Sequence, residues 1–123
     1  MPILDLEIVL RHDEILLPDL AARLAEAAGE IFGGSPGRTW VKLRSLPPEQ
    51  YAEDGDGPPP GVYPVFVSVL KAERPDGEIL RLEASSLARA IGQVCNRPTE
   101  NVHILYEADA KGRLAFGGEI IPS

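Results

Sequence analysis

The stretch LAEAAGEIF at residues 24–32 returns as LARAIGQVC at residues 87–95, an offset of 63. Both copies space apolar side chains along one face of a helix. The first carries Leu20, Leu24, Ala27, Ala28 and Ile31; the second carries Leu80, Ala84, Leu87, Ile91 and Val94. The likeness extends outward: PILDLEIVL (2–10) matches PVFVSVLKA (64–72), and TWVKL (39–43) matches NVHIL (101–105), each at an offset of 62. In the first of these, Leu4, Leu6, Ile8 and Leu10 alternate with Asp5 and Glu7, the pattern of a half-buried strand. Each half therefore reads β-α-β, and such a repeat marks a duplicated supersecondary unit. The expected fold is α+β: duplicated β-α-β units forming one four-stranded sheet with two helices on one face.

The punctuation agrees. Pro18 suits a first helical turn, GGSPG stops the first helix, and NRPTE stops the second. Asp76 is positioned to cap the second helix. The chain reads as a single domain over 1–123, with repeats at about 2–46 and 64–107 and a Pro/Gly-rich linker at about 53–61. The tail ADAKGRLAFGGEIIPS is punctuated by glycine and suits a hairpin or a reach to a neighbouring subunit. With both helices on one side, the other sheet face needs covering, and association with further copies supplies it.

A formal net charge of -7 argues against non-specific nucleic-acid binding, which needs a basic face. No apolar run approaches the roughly 20 residues of a membrane-spanning helix. The amino-terminal apolar stretch carries Asp5 and Glu7 and lacks a basic leader, so no signal peptide is expected and the cytoplasm is the expected location. Cys95 stands alone, which excludes an internal disulfide and fits a reducing compartment; on the apolar side of its helix it reads as buried filler. Two scattered histidines and one cysteine make no metal signature.

A strand beginning at Pro2, a duplicated β-α-β unit and the phrase KGRLAFGGEI at 111–120 together resemble the tautomerase superfamily. The tail is similar to that of 4-oxalocrotonate tautomerase. The length and duplication are similar to the longer members, such as 5-carboxymethyl-2-hydroxymuconate isomerase and macrophage migration inhibitory factor. The resemblance implies a symmetric homotrimer, a small anionic 2-oxo acid as substrate, no cofactor, and a catalytic amino-terminal proline.

The chemistry explains why that proline stands second. An amide nitrogen is no base, whereas a free terminal amine has a pKa of about 7.7–8.0. Loss of Met1 would make Pro2 a secondary amine held rigidly by its ring, and a dry pocket lowers its pKa towards neutrality. Pro64, which the offset of 62 sets opposite Pro2, is locked in an amide and reads as a strand-start residue.

The resemblance also suggests who holds the substrate. Arg74 follows Pro64 by ten residues, the spacing at which short members carry an arginine after their proline, and Lys71 is its neighbour. Arg11 falls one residue short of that spacing from Pro2, and His12 takes the matching place. His103 falls where short members carry a catalytic arginine, and its imidazole suits polarisation of a carbonyl. Val41 takes the corresponding place in the first half, with no charge to offer. Leu114 stands where an aromatic would shield the proline, with Phe116 two residues on as the substitute. Arg38, Lys42 and Arg44, with Trp40 among them, form an alternative basic strand that reads as an exposed or pore-lining face. Tyr51, Tyr63 and Tyr106 are further donors. The expected roles are Pro2, His103 and Arg74 as catalytic, and Lys71, Arg11 and Phe116 as substrate-binding. The rival chemistry, proline-dependent hydration, dehalogenation or decarboxylation, would need a carboxylate to activate water, for which Asp109 and Glu119 are candidates. A non-catalytic trimeric binding protein is the other alternative.

Overall fold

The computed structural model describes residues 1–122. Strand β1 (Ile3–Val9), helix α1 (Leu20–Phe32) and strand β2 (Trp40–Leu46) form the first unit. Strand β3 (Val65–Leu70), helix α2 (Gly77–Cys95) and strand β4 (Val102–Tyr106) form the second, and β5 (Ala115–Phe116) with β6 (Glu119–Ile120) closes the chain as a small hairpin. The main sheet has the order β2-β1-β3-β4. Each unit contributes a parallel pair, and the units join through the antiparallel pair β1 and β3.

Alternation decides the layers. Leu4, Leu6 and Ile8 from β1 and Val65, Val67 and Val69 from β3 are buried against Leu20, Leu24 and Ala28 of α1 and Leu87, Ile91 and Cys95 of α2. Val41, Leu43, Ile104 and Tyr106 extend this layer onto the outer strands. Each fully buried Leu, Ile or Val contributes roughly 1.5–3 kcal/mol. The opposite face has no helix. It presents Phe66, His103 and Leu105 beside Asp5, Glu7 and Arg44, and Leu105 is 61% exposed.

The pairing corrects the internal alignment. Strand side chains alternate between faces, so a slip of one residue exchanges them all. An offset of 62 would match buried Val65 with the half-buried Ile3 of the open face. An offset of 63 matches Leu4 with Val67, Leu6 with Val69, and the pair Ile3–Trp40 with Phe66–His103. It also matches the two left-handed residues that end the helices, Gly33 (φ 70) and Asn96 (φ 57). With the whole duplication at 63, Pro64 is not the mate of Pro2; Val65 is. His103 corresponds to Trp40 rather than Val41, and Arg11 corresponds to Arg74.

Helix α2 departs from expectation at its start. It begins at Gly77, and the Asp76 side chain makes no capping hydrogen bond. Arg97 was read as part of a helix-breaking segment, yet it is 5% exposed and ties four segments together. Its guanidinium donates to the carbonyls of Val9, Tyr63 and Cys95 and to both carboxylate oxygens of Glu14. Burial alone would raise the Glu14 pKa, but the Arg97 and Arg11 hydrogen bonds and charges hold it below the usual carboxylate value.

Candidate active site

Pro2 enters β1 at the sheet end where β2 begins and β3 finishes. The Trp40 amide donates to the Pro2 carbonyl at 3.0 Å, and Ile3 pairs with both Trp40 and Leu70. Pro2 is buried and Met1 before it is half-buried. Met1 lies in an open cavity of about 540 Å³ with Arg38, Ala72, Phe116, Glu119, Ile120, Ile121 and Pro122. Burial of the terminal amine, followed by the Arg38 guanidinium, holds its pKa below the ordinary value for an amino terminus.

Phe116 reaches this end because the β5–β6 hairpin folds back over it. Its ring meets Trp40 edge-on, with centroids 5.3 Å apart, and the Trp40 indole N–H donates to the Gly37 carbonyl. Leu114 lies instead in a neighbouring cavity on the open sheet face, with Ile3, Lys42 and Leu70. Phe116, and not Leu114, is among the residues that line the cavity with Met1.

Arg38, read from the sequence as part of an exposed or pore-lining basic strand, is exposed and also lines the cavity that holds Met1. A parallel β-α-β unit starts both its strands at the same sheet edge. A residue just ahead of β2 therefore lies level with the beginning of β1. That topological signal was present once the unit was recognised. Arg38 has no carboxylate partner among the described residues, whereas Lys42 and Arg44 are drawn onto Asp5 across the β1–β2 pair at 3.3 and 2.7 Å.

The expected substrate-binding cations are distributed differently. Lys71 continues the Val65–Val67–Val69 alternation and so turns to the helix side. It pairs with Glu83 at 2.8 Å and lies 4.9 Å from the Phe32 ring centroid. It is not brought to the terminus. Tyr106 shares that network: its hydroxyl donates to Glu83, and burial together with that carboxylate pushes its pKa upward. Arg11 lies at the far end of β1, donating to Glu14 and the Asn96 carbonyl and approaching the Tyr63 ring. It, too, is apart from Pro2. Arg74 occupies the loop after β3, at the correct end of the sheet. Its amide is held by Asp109, but its exposed side chain does not line the terminal cavity, as Ala72 of the same loop does.

His103 faces the open side of the sheet, with its ring 5.6 Å from Phe66. It pairs with Phe66, which pairs with Glu7. Five strand residues and two strand spacings separate it from Pro2, roughly 19 Å. One chain therefore does not bring His103 to its own proline. Tyr51 donates to Glu53, and that bond, with burial, raises its pKa to about 12. Cys95 is buried among core residues, which pushes its thiol up to about 11. Among the described residues no three His, Cys, Asp or Glu side chains gather to hold a metal, and no helix is long and apolar enough to cross a membrane.

No protein-family model matches the sequence, and no curated protein matches it. Solved structures do match. A fused 4-OT, described as a wild-type symmetric trimer, superposes with a TM-score of 0.74 at 14% identity, covering 96% of this chain and 94% of its own. The macrophage migration inhibitory factor of Trichinella spiralis gives 0.71 at 12% identity, covering 96% and 98%. FG41 malonate semialdehyde decarboxylase, solved with 3-bromopropiolate as inhibitor, gives 0.69 at 12% identity, covering 94% and 88%. The fold is that of the tautomerase superfamily.

Proposed function

We propose that this chain, with its tautomerase fold, is a cofactor-independent tautomerase that interconverts enol and keto forms of a small 2-oxo acid, with Pro2 as general base. The observation that carries this reading is the setting of the amino terminus. It lies in an open cavity with Ala72, Phe116, Ile120, Ile121 and Pro122 beside Arg38, where burial and that charge depress the amine pKa. Removal of Met1 moves the terminal nitrogen one residue further in, to a residue that is itself buried. The same desolvation and the same cation then act on a secondary amine.

In ketonisation the uncharged Pro2 nitrogen takes the proton of the substrate's enol hydroxyl, and in the reverse direction it takes one from the carbon alpha to the carbonyl. The electron pair delocalises onto the substrate's own oxygen, and the protonated amine returns the proton at the other position. Arg38 anchors the carboxylate by charge-assisted hydrogen bonds, and Arg74 stands at the same sheet end as a second cation. Phe116 shields the nitrogen from water. The open sheet face supports a homotrimer, since Trp40, Phe66 and Leu105 are exposed there and a solved neighbour of this fold is a trimer. In that assembly His103 polarises a carbonyl only at a neighbouring subunit's proline. The free, buried Cys95 accords with a cytoplasmic location.

Mass spectrometry of the mature terminus and ketonisation of phenylenolpyruvate by wild type and Pro2→Ala test the reading. We expect Met1 to be absent and the variant to lose about 10²-fold or more in kcat/KM. Retained methionine or equal rates would overturn it. Glu119 favours a second reading, because it is the acidic residue among those that line the same cavity. Asp109 is occupied with the Arg74 amide. Halide release from 3-haloacrylates without ketonisation would favour that hydrolytic chemistry.

A further inference from the structure

We infer that a second cavity, on the open sheet face, binds an α-amino acid with an apolar side chain as its zwitterion, with Arg113 taking the carboxylate and Glu107 the ammonium. This cavity shares no lining residue with the one that holds Met1, and the inference does not depend on the Pro2 chemistry. Its volume of about 470 Å³ lies within the range of small-molecule sites. The strands supply the floor: Ile3 pairs with Leu70, and Asp5 pairs with both Lys42 and Ser68. Glu107 continues the alternation of His103 and Leu105 on this face, and its amide donates to the Val69 carbonyl at 2.9 Å. The turn Ala110–Leu114 supplies the wall. Ala110 is 1% exposed and donates its amide to the Lys71 carbonyl, while the amides of Arg113 and Leu114 donate to the Ala110 carbonyl.

The charges say what the cavity takes. Asp5 is occupied by Lys42 at 3.3 Å and by Arg44 at 2.7 Å. Arg113 and Glu107 line the same space, yet among the described residues no ion pair joins them to each other or to any other side chain. Arg113 is held in place without a counter-ion. Its Nε donates to the Asp109 carbonyl at 2.8 Å and its Nη2 to the Ala108 carbonyl at 2.9 Å, which leaves Nη1 for a ligand. A fixed cation and an anion that share a cavity without pairing fit a molecule that carries both signs itself. An α-amino acid does so near neutral pH, and each end gains a charge-assisted hydrogen bond. Ile3, Leu70, Ala110 and Leu114 offer apolar surface to its side chain. A plain carboxylate or a plain amine satisfies one charge and leaves the other unpaired.

L-leucine is the probe, titrated calorimetrically into the mature protein. Its comparison ligands are 4-methylpentanoate, which lacks the ammonium, and 3-methylbutylamine, which lacks the carboxylate. Leucine is expected to bind with a Kd of about 1 mM or below, and each comparison ligand about tenfold or more weakly. Arg113→Gln should weaken leucine and 4-methylpentanoate about tenfold and leave the amine unchanged. Glu107→Gln should weaken leucine and the amine to a similar degree and leave 4-methylpentanoate unchanged. Arg38→Leu, in the other cavity, should leave leucine binding as it is in wild type. No saturable leucine binding, comparison ligands as tight as leucine, or binding indifferent to Arg113→Gln and Glu107→Gln overturns the inference. Light scattering on the same variants covers the remaining case: a changed oligomeric state, with no leucine binding by wild type, assigns both charges to a subunit contact and overturns it as well.

Discussion

Replacing Arg97 with methionine removes five hydrogen bonds while roughly keeping the buried volume. The guanidinium donates to Val9 O at 2.9 Å, Tyr63 O at 2.9 Å, Cys95 O at 3.0 Å and the two Glu14 oxygens at 3.2 and 2.7 Å. These partners come from the end of β1, the approach to β3, the end of α2 and the loop after β1. The substitution leaves three carbonyls without this donor, while Glu14 keeps only its bonds from Arg11. A buried carbonyl left without a donor costs about 1–3 kcal/mol, and for three of them, with Glu14 still held by Arg11 and partly exposed, we expect about 4 kcal/mol in all. For a chain of this size that corresponds to a fall of roughly 12–16 °C in Tm. Chemical denaturation at pH 7, followed by circular dichroism, measures it.

The pH dependence supplies an independent check. The folded-state pKa of Glu14 is depressed, so its contribution is present above the unfolded carboxylate pKa and is lost as pH falls through the folded value. The stability difference between wild type and Arg97→Met should therefore shrink as the solution is acidified below about pH 4. A loss under about 1 kcal/mol at pH 7, or a difference indifferent to acid, would refute the argument that this arginine pins the four segments together.

Arg38→Leu removes a charge that depresses the terminal amine. The acid limb of the pH profile of kcat/KM, where the base is protonated, should move to higher pH, and kcat/KM should fall about tenfold or more; an unmoved limb contradicts the assignment. Cys95, with its thiol near 11, should resist iodoacetamide at pH 8 in the native protein and react about 10²-fold faster in denaturant; equal rates would show the thiol to be accessible. A Cβ at Gly92 would fall 2.7 Å from the Arg97 carbonyl, so Gly92→Ala should cost about 1–3 kcal/mol by thermal denaturation. At the equivalent Gly29 the nearest atom is 3.7 Å away, so Gly29→Ala should be neutral or stabilising by up to about 1 kcal/mol; the reverse order would reject the close approach of the Arg97 carbonyl to Gly92.

Much of the fold was legible in the sequence because its signals are local. The alternation of Leu4, Leu6 and Ile8 and the stripe of Leu20, Leu24 and Ala28 each assign an element and its buried face without reference to any other segment. The helical copies were also matched correctly at 63. The strands were matched at 62, because short apolar runs resemble one another at either register. Only the pleat, which makes Val65 buried and Phe66 open, removes the ambiguity. The same alternation would have turned Lys71 to the helix side had it been carried two residues past Val69.

The amino-acid order by itself determined two β-α-β units, a helix-covered face, an uncovered face and a proline at the head of β1. Periodicity of two or of 3.6 residues is a property of neighbours along the chain, so those features need no knowledge of the rest. The three-dimensional arrangement decided which charges meet which. It set Arg38 beside the terminus through the parallel crossover, buried Arg97 on Glu14 across 83 positions of sequence, and left His103 two strands away from Pro2. Such contacts depend on strand register and loop paths, which no local pattern encodes.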